Sequence, residues 1–462
     1  MKLVSRIIEP KNTAVRSTRF SNRDLQAIIV PLVIEQFLQL GVSLIDTLMV
    51  SYAGEAVVSG VALVGLISMV YLSIFGSLAT GGAVVVSQYL GSREGEQANR
   101  AGSQIFFIVS CFAIGLMTLL LLFGSPLLAF LYGKVEPDVM AAGQIYLRIL
   151  SLSLPATAVY NAGCAVYRSM GKTRPTMVIS ILMNLMNVAG NAIGIFALRA
   201  GAAGVAWPST ISWYFAAITI TILCLRKSRV DKPVTVLPAS MVRPHGTLLR
   251  RILHIAIPNM ISGVLFSGTK VALGSIVSLF GTVQITANGI SQTFGNLSAL
   301  MGSVMGTVFI TVIGRCMGAK EPDEASYYMK KLVRLGILLS FLWNVVLLTI
   351  MPFLLKLYNI SDEARRLIVI LVIIHATFSS FVQPIDIGIS SGLRAAGDVR
   401  FTMYTSIFST VIWRLIITYL LSIRLGLGVI GTAVAMVSDW TIHAICVAFR
   451  FRAGKWRSFK VI

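Results

Sequence analysis

Long apolar runs recur along the whole chain, and they constrain its fold more than any other feature. A helix needs about 20 mostly apolar residues to cross the hydrocarbon core of a bilayer. The runs are continuous, which predicts helices rather than the alternating strands of a barrel. Only 12% of the 462 residues are charged, whereas a soluble domain has about 25%. The twelve predicted spans are 25–51, 58–88, 103–131, 142–167, 176–198, 203–225, 252–280, 285–313, 332–357, 366–392, 401–423 and 428–449.

The formal net charge of +21 comes from basic residues that concentrate on one side of the predicted membrane. Thirty Lys and Arg residues fall in the two tails, the central connection and every second short loop, against seven in the remaining loops. Because positively charged loops stay in the cytoplasm, we predict an inner-membrane protein with both termini cytoplasmic. The basic excess then reflects topology and contact with the lipid bilayer, which argues against nucleic acid as a partner. No feature predicts an obligate protein partner.

The second half of the chain repeats the first. Shifts of 227 and 226 residues superpose several Pro, Gly and Arg positions, namely Pro31 on Pro258, Gly54 on Gly281, Gly91 on Gly318, Arg168 on Arg394 and Gly171 on Gly397. Six spans per half is an even number, so the halves run parallel, and transporters commonly bind substrate between such repeats. We therefore predict an all-α membrane protein with twelve transmembrane helices in two homologous six-helix lobes. The predicted segments are a basic N-terminal tail (1–24), an N-lobe (25–225), a cytoplasmic linker (226–251), a C-lobe (252–449) and a basic C-terminal tail (450–462).

Polar side chains inside the predicted spans mark candidate functional positions, because a charge at the centre of a membrane helix is costly. Glu35, Gln39 and Asp46 share one face of span 1, while Asn187 and Asn191 share one face of span 5. Asp46 and Asn191 reach similar depths, so a carboxylate is expected to face amide oxygens. Such a set suits Na⁺, or a proton carried on the carboxylate, and no other metal site is predicted. Glu35 lies deeper and has three open interpretations: a second proton site, a recognition group for cationic substrates, or an interhelical hydrogen bond.

The spans of the second half carry different charges. Lys270 in span 7, Arg414 in span 11 and Asp439 in span 12 lie at about the same depth. We expect Asp439 to pair with one of the two cations, because a buried charge needs a partner. Asp386 in span 10 follows Pro384, which predicts a kink, and Asp386 is a candidate for contact with substrate or a proton.

Four segments carry a family pattern. They are Pro31-Leu-Val-Ile-Glu-Gln, Asp46-Thr-Leu-Met-Val-Ser, Ala79-Thr-Gly-Gly-Ala-Val-Val-Val-Ser-Gln-Tyr-Leu-Gly91 and the repeated Arg-x-x-Gly at Arg168 and Arg394. Together they resemble the multidrug and toxin extrusion (MATE) family of cation-coupled antiporters, in the MOP flippase superfamily. The resemblance implies two lobes that form a V around a cavity facing alternately in and out. It also implies export of amphipathic, often cationic compounds driven by Na⁺ or H⁺, with no cofactor and no enzymatic reaction.

The resemblance also bears on single residues. In family members an acid equivalent to Asp46 belongs to a cation site of the N-lobe, and Asn187 matches a partner position. Some members have a second aspartate where this chain has Asn191, which leaves Na⁺ against H⁺ open. Other members use paired acids in spans 7 and 10, at positions that hold Phe266 and Gln383 here.

Two ionisable residues stand close to those two substituted positions. Lys270 lies one turn after Phe266, and Asp386 lies one turn after Gln383. One interpretation is that the Lys270 ammonium replaces a bound metal cation and leaves ion coupling to the N-lobe. Gln383, like Asp386, remains a candidate for contact with substrate or a proton.

Other function classes fit the sequence less well. An ATP-driven pump needs a P-loop, and the nearest match, Gly171-Lys172-Thr173, has Val166 where that motif requires glycine. Neither a zinc-enzyme motif nor a repeated filter loop is visible, which argues against an enzyme and a channel. The alternative that remains is a lipid-linked precursor flippase of the same superfamily. That function favours a strongly cationic cavity, whereas the span interiors hold four acids against two bases.

Overall fold

The computed structural model describes residues 9, 19–133, 135–227, 233–356, 358 and 360–462. Within those ranges every regular element is a helix and no strand occurs. Most of the predicted N-terminal tail (1–24) and residues 228–232 of the predicted linker lie outside the described residues.

The helices are numbered in chain order. They are α1 (Asn22–Ser51), α2 (Glu55–Gly91), α3 (Gly95–Tyr132), α4 (Pro137–Leu152), α5 (Leu154–Ser169), α6 (Arg174–Ala192), α7 (Gly201–Leu225), α8 (Pro238–Val242), α9 (Gly246–Val277), α10 (Thr282–Ser298), α11 (Leu300–Gly318), α12 (Pro322–Leu355), α13 (Asp362–Phe381), α14 (Gln383–Ala395), α15 (Val399–Ile407), α16 (Arg414–Thr418) and α17 (Gly428–Arg452). Three π-helical stretches continue them, at Ile193–Ala197 after α6 and at Phe408–Trp413 and Tyr419–Arg424 on either side of α16.

The membrane-spanning character predicted from the apolar runs is confirmed. In the described part of the chain eleven helices are long and apolar enough to cross a bilayer, and a twelfth span is formed if α4 and α5, bent by 48°, are counted together. The predicted break near Pro384 is also present, because α13 ends at Phe381 and α14 begins at Gln383. Several helices begin before their predicted spans, since charged residues end an apolar run without ending a helix. For example, α12 begins at Pro322, whereas the predicted span begins at 332.

The chain forms two compact units. The first unit is Arg23–Met260, and the second is Ile261–Ile462 with the described part of Met1–Asn22. The predicted lobes, 25–225 and 252–449, differ from these units chiefly over residues 226–260, which belong to the first unit. Val234 and Val236, inside the predicted linker, are at most 1% exposed.

Side chains near the start of α3 hold the ordered part of that linker. Ser103 Oγ accepts a hydrogen bond from the backbone N–H of Leu237 at 2.8 Å. Gln104 donates from Nε2 to the carbonyl of Ser240 at 2.6 Å and accepts at Oε1 from the N–H of His245 at 2.8 Å. These bonds satisfy backbone groups that carry no regular secondary structure of their own. The segment is therefore packed as part of the first unit.

The backbone repeats with the spacing found in the sequence. Four pairs of residues, each 227 positions apart, have positive φ: Gly54 and Gly281, Arg93 and Lys320, Arg199 and Gly426, Gly201 and Gly428. Side chains rarely adopt this left-handed region, so a coincidence at four matched turns would be improbable. The two halves of the chain therefore share their local backbone structure as well as their sequence pattern.

Candidate functional site

A carboxylate lies among amide groups in the first unit. Asn191 of α6 donates from Nδ2 to Asp46 Oδ1 of α1 at 3.0 Å. The side-chain amide of Asn187 lies 3.0 and 3.1 Å from the two carboxylate oxygens of Asp46. With its nitrogen towards the carboxylate, Asn187 donates to Asp46 and its oxygen accepts from Ser209 Oγ of α7 at 2.9 Å. Three of the four residues predicted for the cation site are thus in one cluster, and Ser209 joins them.

The oxygen atoms of this cluster fit a hard monovalent cation. Asp46, Asn187, Asn191 and Ser209 supply carboxylate, amide and hydroxyl oxygens, the donor types that hard cations bind. Oδ1 of Asn191 is buried and has no hydrogen-bond partner among the described residues, so it is an acceptor to which a cation would be a partner. No cluster of three or more His, Cys, Asp or Glu side chains suited to a metal ion occurs in the described ranges. The site therefore suits a weakly held, transported ion.

Close contact between α6 and α7 brings these groups together. A Cβ atom on Gly194 would lie 2.1 Å from the carbonyl oxygen of Gly204, and one on Gly190 would lie 2.6 Å from the Cβ of Pro208. Small residues four positions apart let membrane helices approach closely. Asn191 lies between the two glycines, and Ser209 follows Pro208. The sequence reasoning missed Ser209, although the Gly190-x-x-x-Gly194 pattern pointed to this contact.

The apolar ends of the same helices close the cluster on one side. Val50 of α1, Ile195 of the π-helical stretch after α6 and Val205 of α7 are each at most 6% exposed and pack together. Their burial fixes the ends of the helices that carry Asp46 and Asn191.

Gln39, the fourth predicted member, makes a different contact. Its Oε1 accepts from Nε2 of Gln36 in the same helix at 3.2 Å. Gln39 precedes Asp46 by almost two helical turns, about 10 Å along the axis. Sharing a helix face with Asp46 therefore did not bring it into the cluster.

Glu35 takes part in an interhelical ion pair. Its Oε1 accepts from Arg168 Nη2 of α5 at 2.7 Å, and its Oε2 accepts from Thr176 Oγ1 of α6 at 3.3 Å. The Glu35 side chain is 1% exposed. Of the three open interpretations, the interhelical contact is the one that the geometry shows. Arg168, which was assigned to a cytoplasmic loop, is instead in the last turn of α5.

Ionisable residues of the second unit form two further pairs. Arg414 Nη1 lies 3.9 Å from Asp439 Oδ2, and both side chains are 3% exposed. Asp386 of α14 contacts His443 Nδ1 of α17, and both side chains are almost fully buried. The predicted pairing of Asp439 with one of two cations is therefore found, with Arg414 as the partner. The contact between Asp386 and His443 was not predicted.

The remaining predicted residues of the second unit have less specific surroundings. Lys270 forms no ion pair with any described residue, and its Nζ lies over the Phe266 ring, 5.0 Å from the centroid. Gln383 is 4% exposed, and its Oε1 is buried without a hydrogen-bond partner in the described part of the chain. Gln383 lies against Gly302 of α11.

The repeated helices and the buried ionic groups define a polytopic membrane protein with two homologous halves. The MatE family model matches residues 31–193 and again residues 258–420. The two matches are offset by 227 residues, the spacing of the internal repeat. The chain belongs to the MatE family, the MATE transporters of the MOP superfamily, whose members are transporters and not enzymes.

Curated relatives match over nearly the whole chain. An uncharacterized transporter, YisQ, of Bacillus subtilis is 24% identical and covers 96% of this chain and 97% of its own length. A probable multidrug resistance protein, NorM, of Neisseria meningitidis serogroup B is also 24% identical, over 92% of this chain and 93% of its own. The multidrug resistance protein MdtK of Pectobacterium atrosepticum is 25% identical, over 87% and 88%.

Solved structures share the fold. One, described as an outward-facing conformation of a multidrug resistance MATE family transporter, has a TM-score of 0.83 at 18% identity and covers 95% of this chain and 99% of its own. A point mutant of the Vibrio cholerae MATE transporter VcmN has the same TM-score and identity and covers 95% and 98%. The predicted all-α fold in two six-helix lobes is thereby confirmed.

Proposed function

We propose that the protein is a secondary active antiporter of the inner membrane, with both termini in the cytoplasm. In this proposal it exports amphipathic compounds, cationic ones among them, in exchange for Na⁺ or H⁺ by alternating access. The observation that carries the proposal is the contact of the Asp46 carboxylate with Asn187 and Asn191 at about 3 Å. The relatives named as multidrug resistance proteins support the substrate class.

The amide groups suit a carboxylate that is alternately loaded and empty. An Asn side chain presents a nitrogen donor or an oxygen acceptor, depending on which way the amide faces. In the empty state the nitrogen atoms of Asn187 and Asn191 stabilise the Asp46 anion. When Na⁺ binds, the same amides can turn their oxygens to the ion, and Ser209 can donate or accept accordingly. A single carboxylate thus serves both states without a strong trap for the ion.

One carboxylate at this site is compatible with either coupling ion. Na⁺ needs several oxygen ligands, which the cluster offers, whereas a proton needs only the Asp46 carboxylate. The second unit has Phe266 and Gln383 at the positions of the acid pair found in other members of the family, so we place coupling in the first unit.

Gradient-driven efflux from vesicles tests the proposal. Purified protein in liposomes is loaded with a cationic fluorescent dye, and efflux is followed after an inward Na⁺ or H⁺ gradient is imposed. Wild type should respond to at least one gradient, whereas Asp46→Asn should lose the gradient dependence. Asp24→Asn, in the first turn of the same helix, is the matched control and should behave as wild type.

Two outcomes would contradict the proposal. Gradient-driven efflux that survives in Asp46→Asn would remove Asp46 from coupling. Scrambling of lipid-linked precursors without dye transport would favour the flippase.

A further inference from the structure

A buried group in the second unit has more nitrogen donors than oxygen acceptors. We call Lys270 of α9, His375 of α13 and Arg414 of α16 the donor cluster. Arg414 is 3% exposed, and its Nε and Nη1 atoms have no hydrogen-bond acceptor among the described residues. Both ring nitrogens of His375, also 3% exposed, lack a partner in the same ranges. Buried donors are normally paired, so this cluster is suited to an acceptor that the described chain does not supply.

Lys270 adds a second positive charge to the group. Its ammonium is close enough to Arg414 for the two charges to repel each other. His375 is likewise within the electrostatic reach of Arg414. The Lys270 ammonium contacts the Phe266 ring and forms no ion pair within the described part of the chain. The donor cluster therefore carries two cations.

One carboxylate serves these two cations. Asp439 Oδ2 lies 3.9 Å from Arg414 Nη1, a separation longer than a hydrogen bond. The Asp439 oxygens also accept from Thr410 Oγ1 at 3.4 and 3.5 Å. Asp439 thus compensates Arg414 in part and leaves the charge of Lys270 without a counter-ion.

The excess of positive charge bears on the interpretation that Lys270 replaces a bound metal cation. A replaced cation would leave behind the carboxylates that had bound it. The positions of that acid pair hold Phe266 and Gln383, which are uncharged. An ammonium without such carboxylates is placed to attract an anion.

We propose that Lys270 and Arg414 form an anion subsite of the second unit, which binds the carboxylate of a transported amphipathic compound. The guanidinium and the ammonium supply charge-assisted hydrogen bonds to a carboxylate. Phe266, which is 38% exposed, offers an aromatic surface beside the ammonium for the apolar part of the same compound. The proposal rests on the antiporter function and narrows its substrates to zwitterions and anions that carry a carboxylate, in addition to cations.

Two dyes that differ by one charge test the subsite. A zwitterionic rhodamine with a free carboxylate and its methyl ester are compared for binding to the purified full-length protein, by fluorescence anisotropy, and for efflux from vesicles. Lys270→Gln should weaken binding of the carboxylate dye about tenfold or more and change binding of the ester less than about twofold. Lys270→Arg should retain the preference for the carboxylate dye. Arg414 is a poorer test position, because its replacement leaves Asp439 buried and unpaired.

A matched lysine serves as the control. Lys356 lies over the Phe353 ring at 5.7 Å in the same unit, so Lys356→Gln removes a similar ring contact outside the donor cluster and should weaken binding of neither dye. Equal loss of both dyes in Lys270→Gln, or the same selective loss in Lys356→Gln, would overturn the proposal. An effect of Lys270→Gln seen only in vesicles that contain phosphatidylglycerol would assign the site to a lipid headgroup and would also overturn it.

Failure of the subsite and failure of the antiporter function give different results. If the carboxylate dye binds through Lys270 but neither dye moves under a Na⁺ or H⁺ gradient, the subsite stands and the antiporter function is wrong. If both dyes move and Lys270→Gln treats them alike, the function stands and the subsite is wrong.

Discussion

Arg168 Nη2 donates to Glu35 Oε1 at 2.7 Å and so joins α5 to α1, 133 residues apart in the chain. The Glu35 carboxylate is 1% exposed, and the Arg168 side chain is 25% exposed. Removal of one partner leaves a buried charge without compensation, which is more destabilising than removal of both. The pair is therefore a tie within the first unit as well as the partner of an intramembrane acid.

Substitution of one residue of this pair should destabilise the protein. We expect Glu35→Leu to lower the free energy of unfolding by about 3 kcal/mol, and Glu35→Leu with Arg168→Leu to cost less than the sum of the single changes. Thermal unfolding of the detergent-purified variants measures both effects. Glu96→Leu breaks the exposed pair with Arg100 and should cost less than about 1 kcal/mol. Additive single changes would show that the two residues are not coupled.

Most of the fold could be predicted from the sequence, because the length of an apolar run is local information. The predicted span 203–225 corresponds to α7, Gly201–Leu225, and the predicted span 25–51 to α1, Asn22–Ser51. The break near Pro384 also follows from one residue. The ends of helices such as α12 were missed where charged turns extend beyond the apolar run.

The candidate site could be predicted in part. Helical periodicity and depth identified Asp46 and Asn191 as neighbours, because these quantities depend on single helices. Partners on other helices depend on tilt and rotation, which periodicity does not give, so Ser209, Arg168 and His443 were missed. The pattern Gly190-x-x-x-Gly194 held the information about the contact of α6 with α7.

Addition of a second carboxylate should favour Na⁺ as the coupling ion. Asn191→Asp places an acid where the Asn191 amide now contacts Asp46, and more anionic oxygen ligands raise affinity for a hard cation. We expect the Na⁺ concentration for half-maximal dye efflux to fall roughly tenfold. Asn184→Asp adds a charge to the same helix, where Asn184 contacts Ser180, and should not produce this change. An unchanged Na⁺ dependence in Asn191→Asp would contradict a cation site at Asp46.

The close contact of α6 with α7 should not tolerate a methyl group. In Gly194→Ala the Cβ would lie 2.1 Å from the carbonyl oxygen of Gly204, so the helices must separate and Ser209 must move away from Asn187. We expect a loss of about 1–3 kcal/mol in unfolding free energy and a loss of ion-coupled efflux. Gly41→Ala in α1 is the control, because its Cβ would meet nothing within 4 Å. Wild-type stability in Gly194→Ala would show that the helices are not held this closely.

The contact of Asp386 with His443 should stabilise the second unit. Each side chain is almost fully buried, so Asp386→Leu or His443→Leu leaves a polar or charged partner unpaired at a cost of about 3 kcal/mol. The double substitution should cost less than the two single changes together. Asp362→Ala, which breaks the exposed pair with Arg365, should cost at most about 1 kcal/mol. If the single changes are as mild as this control in thermal unfolding, the buried contact does not contribute to stability.

The Tyr328 hydroxyl fixes the backbone of Phe20 and so the end of the N-terminal segment. It accepts from the N–H of Phe20 at 2.7 Å and donates to the carbonyl of Phe20 at 2.8 Å. Tyr328→Phe leaves both backbone groups buried without this partner, and each such group costs about 1–3 kcal/mol. We expect the segment to detach more often, so trypsin should cleave after Arg19 faster than in wild type, whereas Tyr327→Phe should leave the rate unchanged. Equal cleavage rates in the two variants would mean that the hydroxyl of Tyr328 does not retain the segment, and that the contacts of Arg19 with Glu321 and Glu324 suffice.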